Sequence, residues 1–335
     1  MILYHAISTY QIFSVSVHRL KYHEKKFTVL ILPDFIVNKF PKYKKLLDVF
    51  DEIYLFPYTK IEHVKDTILK NTKMFYREII PYELEEFEKV YISGAHFYFS
   101  LLLIDVGKHF SVFEDACGML KQNQRLYNNL YRAYPIHAEM MQNVGMFELN
   151  NPLIDKIFCN KKENEILGYK HKIKNWNATK EFLSLSVMQC DKIESFFWDE
   201  KPFYNFTDSI FIITQNFVGL GSMNKQQQEK VYEQLHKKIS ITRKKIFIKV
   251  HPDDEFDYKN IFKEAVIIKE KVPVELLLLN SQGIPYLIFS FSSASEIDQR
   301  KYKSLNLAKK YSTLYSFEDE YRSILTILGL KENEL

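Results

Sequence analysis

Short apolar runs that stop at a chain-breaking residue constrain this chain more than any other feature. Phe27–Leu32 ends at Pro33, Glu52–Phe56 ends at Pro57, Lys89–Ser93 runs into Gly94, and Ile246–Val250 is followed by His251-Pro252. Each run is rich in Ile, Val, Phe, Tyr or Leu and has the length of a strand buried on both faces. Proline has no N–H to donate to a ladder, so it marks where such a strand stops. Between the runs lie stretches with helical spacing: Thr9–Lys21, Lys44–Phe50, Lys60–Tyr76, Phe97–Gly107 and Gln122–Tyr131. Strands alternating with helices predict βαβ units and a parallel α/β sheet.

The pattern occurs twice. The first set opens with Met1–Tyr4 and continues through strands at Phe110–Phe113 and Lys156–Cys159. Residues 160–205, rich in Lys, Asn, Glu and Ser, read as an interdomain region with one amphipathic helix, Ala178–Val187. The second set has strands at Ser209–Thr214, 246–250, Ala265–Ile268 and 286–291. Its helices are Lys225–Ile239, capped by Asn224, then 273–280 with Pro273 in the first turn, and finally Phe317–Leu328. The expected domains are 1–190, which takes in the linker, and 191–335. A chain of 335 residues with 46% hydrophobic content can fill two ordinary cores. Two Rossmann-like domains facing a central cleft form the GT-B arrangement, although other two-domain α/β proteins share that outline.

Composition narrows the function classes. A net charge of +4 and a pI of about 8.6 are too mild for a nucleic-acid binder. The basic runs Lys21–Lys26, Lys39–Lys45 and Arg243–Lys245 read as solvated faces, with room for weak attraction to an anionic membrane surface. Cys117, Cys159 and Cys190 have neither zinc nor disulfide spacing. The first twenty residues have no basic segment leading into a clean apolar core, and no run of 18 apolar residues exists. The expected location is the cytoplasm, with at most a peripheral association at the inner face of the cell membrane, and a homodimer is compatible with it. The 27 Phe and 22 Tyr fit either an AT-rich codon bias or stacking surfaces for sugars or bases.

Four places carry candidate chemistry. His251 sits where a buried strand ends, the position at which open α/β sheets bind ligands. Lys249 precedes it, and Pro252 turns the chain. Ser292 and Ser293 follow the strand 286–291, where hydroxyls and unpaired N–H groups can cradle a phosphate or simply cap a helix. Glu275 lies in the first turn of an otherwise apolar helix; it either complements the dipole or accepts bonds from a ribose. Glu114 and Asp115 end the strand at Phe110–Phe113, where a carboxylate in a cleft can act as a general base, or where a solvated acidic turn can sit. Gly118 would then permit a tight turn. The acids Asp253, Asp254, Glu255 and Asp257 read as a solvated loop rather than a metal site. Gly219-Leu-Gly221-Ser222 is neither a dinucleotide fingerprint nor a P-loop, and reads as a mobile loop beside the site.

In order, these motifs resemble the bacterial sialyltransferases, and in particular glycosyltransferase family 52, the lipooligosaccharide and capsular enzymes. The resemblance rests on Glu114-Asp115, Lys249-Val-His251-Pro252 and Ser292-Ser293, with Thr214-Gln215 and Pro273-x-Glu275 between them. It covers most of residues 110–300 as scattered motifs. The family's acidic motif ends in Gly directly after the acids, whereas here Ala116-Cys117 intervene before Gly118. That leaves the base open, with Asp115 first, Glu114 second and Glu229 third.

The resemblance implies a metal-independent, inverting transfer of sialic acid from CMP-N-acetylneuraminic acid to a galactose-terminated glycan of a capsule or lipooligosaccharide. No cofactor is implied beyond the donor. His251 would protonate or pair with the departing phosphate. Ser292 and Ser293 would hold that phosphate, and Glu275 the ribose. Lys249, Pro252, Thr214, Gln215 and Gly221 would complete the donor site. A CMP-Kdo transferase, a polysialyltransferase and a non-catalytic nucleotide-sugar binding protein remain as alternatives.

Overall fold

Among the described residues, every ladder of the two sheets is parallel, in keeping with continuous apolar runs. The computed structural model describes residues 1–115, 120, 123–160, 172–291 and 301–306. The chain divides into two units, Met1–Glu200 and Lys201–Leu335. The helix expected at Phe317–Leu328 lies outside the described residues.

The first unit runs β1 (Ile2–His5), α1 (Thr9–Tyr22), β2 (Thr28–Pro33), α2 (Ile36–Lys39), β3 (Glu52–Phe56), α3 (Lys65–Ile79), β4 (Lys89–Ser93), α4 (Tyr98–Asp105) and β5 (Phe110–Phe113). It continues through α5 (Asn123–Ala133), α6 (Pro135–Asn143), β6 (Ile154–Cys159), β7 (Ile173–Asn175), α7 (Ala178–Phe182) and α8 (Val187–Phe197). The strand order is β3-β2-β1-β4-β5-β6-β7. The order reverses between β1 and β4, so the loops leaving those neighbours diverge and open a crevice at their carboxyl ends.

One face of this sheet packs Leu3, Val29, Ile31, Val90, Ile92 and Val112 against α3 and α4. The other face is aromatic. His18 of α1 lies 4.6 Å from the Tyr91 ring, 5.1 Å from Phe113 and 5.4 Å from Trp176, centroid to centroid, and its Nδ1 is 2.8 Å from the Tyr4 hydroxyl. Burial drives this imidazole well below its ordinary pKa.

Residues 172–200 depart from the expected linker. β7 extends the sheet beside β6, and two helices replace the one expected. The break has a local cause: Ser186 and Gln189 form a capping box that restarts the chain as α8. Both helices pack on α1, where the Phe182 ring lies 5.5 Å from Phe13 and the Trp176 indole donates to Ser14 Oγ at 2.8 Å. Lys21 pairs with Glu181, and Lys42 and Lys45 reach Asp199. α8 therefore runs through position 190, and the division between units falls after Glu200. The helix expected from Lys60 begins instead at Lys65, because Ile61 is extended and buried in the core.

The second unit has β8 (Ile210–Ile213), α9 (Lys225–Ser240), β9 (Ile246–Lys249), β10 (Val266–Ile268), α10 (Val274–Leu279), β11 (Leu287–Ser290) and β12 (Ser304–Asn306), in the order β10-β9-β8-β11-β12. The reversal here lies between β8 and β11. Asn224 caps α9 through a capping box with Gln227. Val231, Tyr232, Leu235 and Ile239 of α9 bury against Ile210, Ile212, Ile248 and Phe289.

Candidate active site

In the first unit, the crevice at the β1/β4 reversal is lined by polar groups from four strand ends. His5 closes β1. Its Nδ1 donates to the Ser93 carbonyl at the end of β4 (2.8 Å), and its Nε2 accepts from the Tyr58 hydroxyl (2.7 Å). Burial brings its pKa down to about 4, so this imidazole is neutral at physiological pH. One position beyond Ser93, Gly94 has φ +70° and turns the chain sharply. The Gly94 N–H then donates to Asp115 Oδ1 at 2.7 Å. Gln11, in the first turn of α1, donates from Nε2 to the same oxygen at 3.1 Å, while its Oε1 accepts from the Ile7 N–H. Asp115 Oδ2 faces His96 Nδ1 at 3.1 Å.

The two acids of the sequence motif are thus separated. Asp115 joins His96, Gln11 and Gly94. Glu114 is buried and turned toward the end of β6, where its Oε1 accepts from the Asn160 N–H at 2.7 Å. Glu229 is exposed on α9, one position round from the buried Gln228. His96, Gln11 and Gly94 were not among the expected site residues. The available signal for His96 was the one that singled out His251: a histidine just past the end of a buried strand.

A cavity of about 430 Å³ lies beside this cluster, lined by Phe35, Tyr58, His63, Tyr98, Tyr134 and His137, among others. His63 stacks on Tyr134 with centroids 4.2 Å apart. His137 donates from Nε2 to the His96 carbonyl at 2.7 Å, and burial lowers its pKa to about 3. Aromatic faces with a few polar groups are what small-molecule sites are made of.

In the second unit, β8, β9 and β11 end on one edge. His251 to Asp254 form a turn closed by the Asp254 N–H to the His251 carbonyl at 3.0 Å, with Pro252 at its preferred second position. Thr214, at the end of β8, accepts the His251 N–H on its hydroxyl at 2.9 Å and passes its own proton toward Asp254 at 3.4 Å. Asp254 also accepts from the Tyr258 hydroxyl, the Phe256 N–H and the Gln228 amide. That acid therefore organises the loop, a role its place in an acidic run concealed. The Asp253 N–H donates to His251 Nδ1 at 3.2 Å, which makes Nε2 the proton-bearing nitrogen of the neutral ring.

Lys249 is 4% exposed and donates to the Val250 carbonyl at 3.0 Å. Burial lowers its pKa to about 8, against the opposing pull of Glu270 and Glu275. Glu275 is itself 4% exposed. Pro273 stands at the N-cap of α10, just ahead of its expected place in the first turn. Gln215 is buried and receives the Asn216 N–H at 3.0 Å. Gly221, at φ +67°, ends a turn tied by its N–H to the Val218 carbonyl at 2.9 Å. The loop expected to be mobile is thus internally bonded, and Phe217 accepts from the Ser222 N–H as well. Ser292 and Ser293 lie outside the described residues. β11 delivers the chain toward them beside β8, where the Phe291 N–H donates to the Ile213 carbonyl at 2.9 Å.

No protein-family model matches this chain, and no curated protein matches it in sequence. Solved structures do match in shape. One is a UDP-GlcNAc 2-epimerase from Methanocaldococcus jannaschii in complex with UDP-GlcNAc and UDP, 15% identical, with a TM-score of 0.54 over 99% of this chain and 94% of that one. Another is the GT-B domain of a sialyltransferase from Photobacterium damselae, 11% identical, with a TM-score of 0.51 over 100% and 98%. A third is Os79 from O. sativa in complex with U2F and a trichothecene, 11% identical, with a TM-score of 0.53 over 100% and 92%. At these identities the likeness is one of fold, and the chain has the GT-B fold.

Gly94→Ala tests the crevice of the first unit. A Cβ there would stand 2.6 Å from Ile7 Cδ1, on a backbone with φ +70°. The substitution is expected to cost about 1–2 kcal/mol and to shift the N–H that holds Asp115. Thermal unfolding checks the cost.

Proposed function

We infer that this GT-B protein is an inverting sialyltransferase that moves sialic acid from CMP-N-acetylneuraminic acid to a galactose-terminated surface glycan, without a metal. The observation that carries this reading is His251: a ring at the carboxyl end of β9, next to the β8/β11 reversal, with Nδ1 committed to the Asp253 N–H. Such a ring carries its proton on Nε2, the nitrogen that would donate to the phosphate in this reading. A monophosphate leaving group needs that kind of single donor, assisted in this reading by Ser292 and Ser293, whereas a diphosphate often recruits a divalent cation. Glu275 would take the ribose. The Asp115 cluster would handle the acceptor's proton. A sialyltransferase is among the proteins that share the fold, and the ordered motifs of the sequence support this choice of donor.

In this reading the acceptor hydroxyl loses its proton and its oxygen bonds to the anomeric carbon. The bond from that carbon to the phosphate oxygen breaks, and CMP departs with the electron pair, hydrogen-bonded to His251. One displacement inverts the configuration.

The test is CMP release from CMP-N-acetylneuraminic acid with and without lactose, in EDTA, for wild type and His251→Ala. Acceptor-stimulated release is expected in the wild type, with His251→Ala slower by about 10²–10⁴-fold. Folded wild-type protein that releases no CMP from this donor would end the sialic-acid reading, and CMP-Kdo is the donor to try next.

A further inference from the structure

We propose that His96 removes the proton from the acceptor hydroxyl, and that Asp115 is the positioning residue that holds His96 in the reactive tautomer. The proposal rests on the glycosyl-transfer reading above and assigns the base within it.

The hydrogen-bond directions leave one consistent arrangement. A backbone N–H only donates, so Gly94 makes Asp115 Oδ1 an acceptor. Gln11 is fixed end for end, because its Oε1 receives the Ile7 N–H at 2.8 Å, so its Nε2 must donate to the same Oδ1. Two donors already occupy that oxygen, and the other faces His96 Nδ1. A proton on Oδ1 would break one of these bonds, and the single proton between Oδ2 and Nδ1 rests on the imidazole, the stronger base. A carboxylate held this way is an orienting group: it keeps the proton on Nδ1, leaves the lone pair on Nε2, and stabilises the imidazolium once that nitrogen is protonated.

Placement agrees. The His96 side chain is 16% exposed, so the ring is neither sealed in the core nor loose in solvent. Its main chain is pinned by the His137 Nε2–H on its carbonyl. Its ring lies nearly parallel to Phe147, at 17°, and lines a small pocket with Asp115 and Phe147. Among the described residues, the titratable groups around it include Asp115 and Glu114 past β5, His5 at the end of β1 and His137 on α6. Burial keeps both of those histidines neutral above about pH 5, so they add no charge that would compete with an imidazolium at His96.

The step balances. The Nε2 lone pair takes the hydroxyl proton, the freed oxygen pair forms the new glycosidic bond, the carbon–phosphate-oxygen bond electrons leave with CMP, and the imidazolium returns its proton to water.

Two readouts test this. In the kinetic one, His96→Ala and His96→Gln are expected to lower kcat for acceptor-stimulated CMP release about 10³-fold, with CMP binding unchanged and thermal midpoints near wild type. Added imidazole should restore His96→Ala at least several-fold, and should not restore Asp115→Ala. A His96→Gln enzyme retaining a third or more of wild-type kcat would overturn the proposal, as would rescue of Asp115→Ala by formate without an effect of imidazole on His96→Ala. The second readout is nitrogen-15 NMR of the imidazoles, assigned by the His96→Gln spectrum. It needs no substrate. An Nδ1–H tautomer at His96 that is lost in Asp115→Ala supports the assignment, and an Nε2–H tautomer in the wild type overturns it. Should the wild type turn over no CMP donor, the glycosyl-transfer reading fails, and the tautomer still decides the role of the dyad.

Discussion

Lowering the pH from 7 to 4 is expected to unfold the first unit. His5 and His137 are buried, with pKa values brought down to about 4 and about 3, while unfolded histidine titrates near 6.5. Below pH 6.5 the unfolded chain binds protons that the native chain refuses, so stability falls as pH falls. The contribution is fully present above pH 6.5 and is lost progressively down to the folded values. At about 1.4 kcal/mol per pH unit, each histidine accounts for roughly 3 to 5 kcal/mol by the end of its window. His18, pushed down by burial among aromatic rings, acts in the same direction. The sum is comparable to the whole stability of an ordinary domain. Urea titrations at pH 7, 6, 5 and 4, followed by tryptophan fluorescence, would show it, since both Trp176 and Trp198 lie in the first unit. A midpoint that holds steady between pH 6.5 and 4.5 would show that these rings are protonated in the native state.

Lys249→Met is expected to destabilise the second unit by about 3 kcal/mol. The substitution keeps the volume and the apolar stem but removes the cation that faces Glu270 and Glu275. Glu275 is 4% exposed, and taking one charge out of a set of buried charges costs about 3–5 kcal/mol. The double variant Lys249→Met/Glu275→Leu removes both charges and should recover most of the loss, because a buried pair can often be replaced by packed apolar groups at little net cost. Thermal unfolding of the single and double variants measures the coupling. A neutral Lys249→Met would mean that other groups already compensate Glu275.

The strands were legible because each is a pure apolar run with a chain breaker behind it. β3, β4 and β5 fall where their residues imply, and Pro57, Gly94 and Glu114 mark their ends. α9 was legible from its Asn224 cap. Residues 172–200 were not, because Lys, Asn, Glu and Ser interrupt a stretch whose buried apolar anchors, Trp176, Ala178, Phe182, Ile193, Phe196 and Trp198, keep no single period. At the site, sequence alone could rank Asp115 ahead of Glu114 but could not show what sets the two apart. That difference depends on Gly94 arriving from the end of β4 and Gln11 from the first turn of α1, and spacing along the chain does not report it. Asp254 was hidden for the opposite reason: an acidic run looks solvated unless one knows that Thr214, Gln228 and Tyr258 converge on one of its members.

Residues 172–200, at the end of the first unit, cover α1, which lies near its start, and this bears on the order of events during synthesis. Domains fold as units, the amino-terminal one first, as the chain emerges from the ribosome. Here the outer face of α1 stays bare until Trp176, Phe182 and α8 have been made. The nascent first unit must therefore wait, with an apolar helix face open to solvent, until its residues through position 200 have emerged and translation of the second unit is under way. A chaperone that binds apolar nascent segments has its natural window there, and a fragment made to stop at 160 would keep that window open permanently.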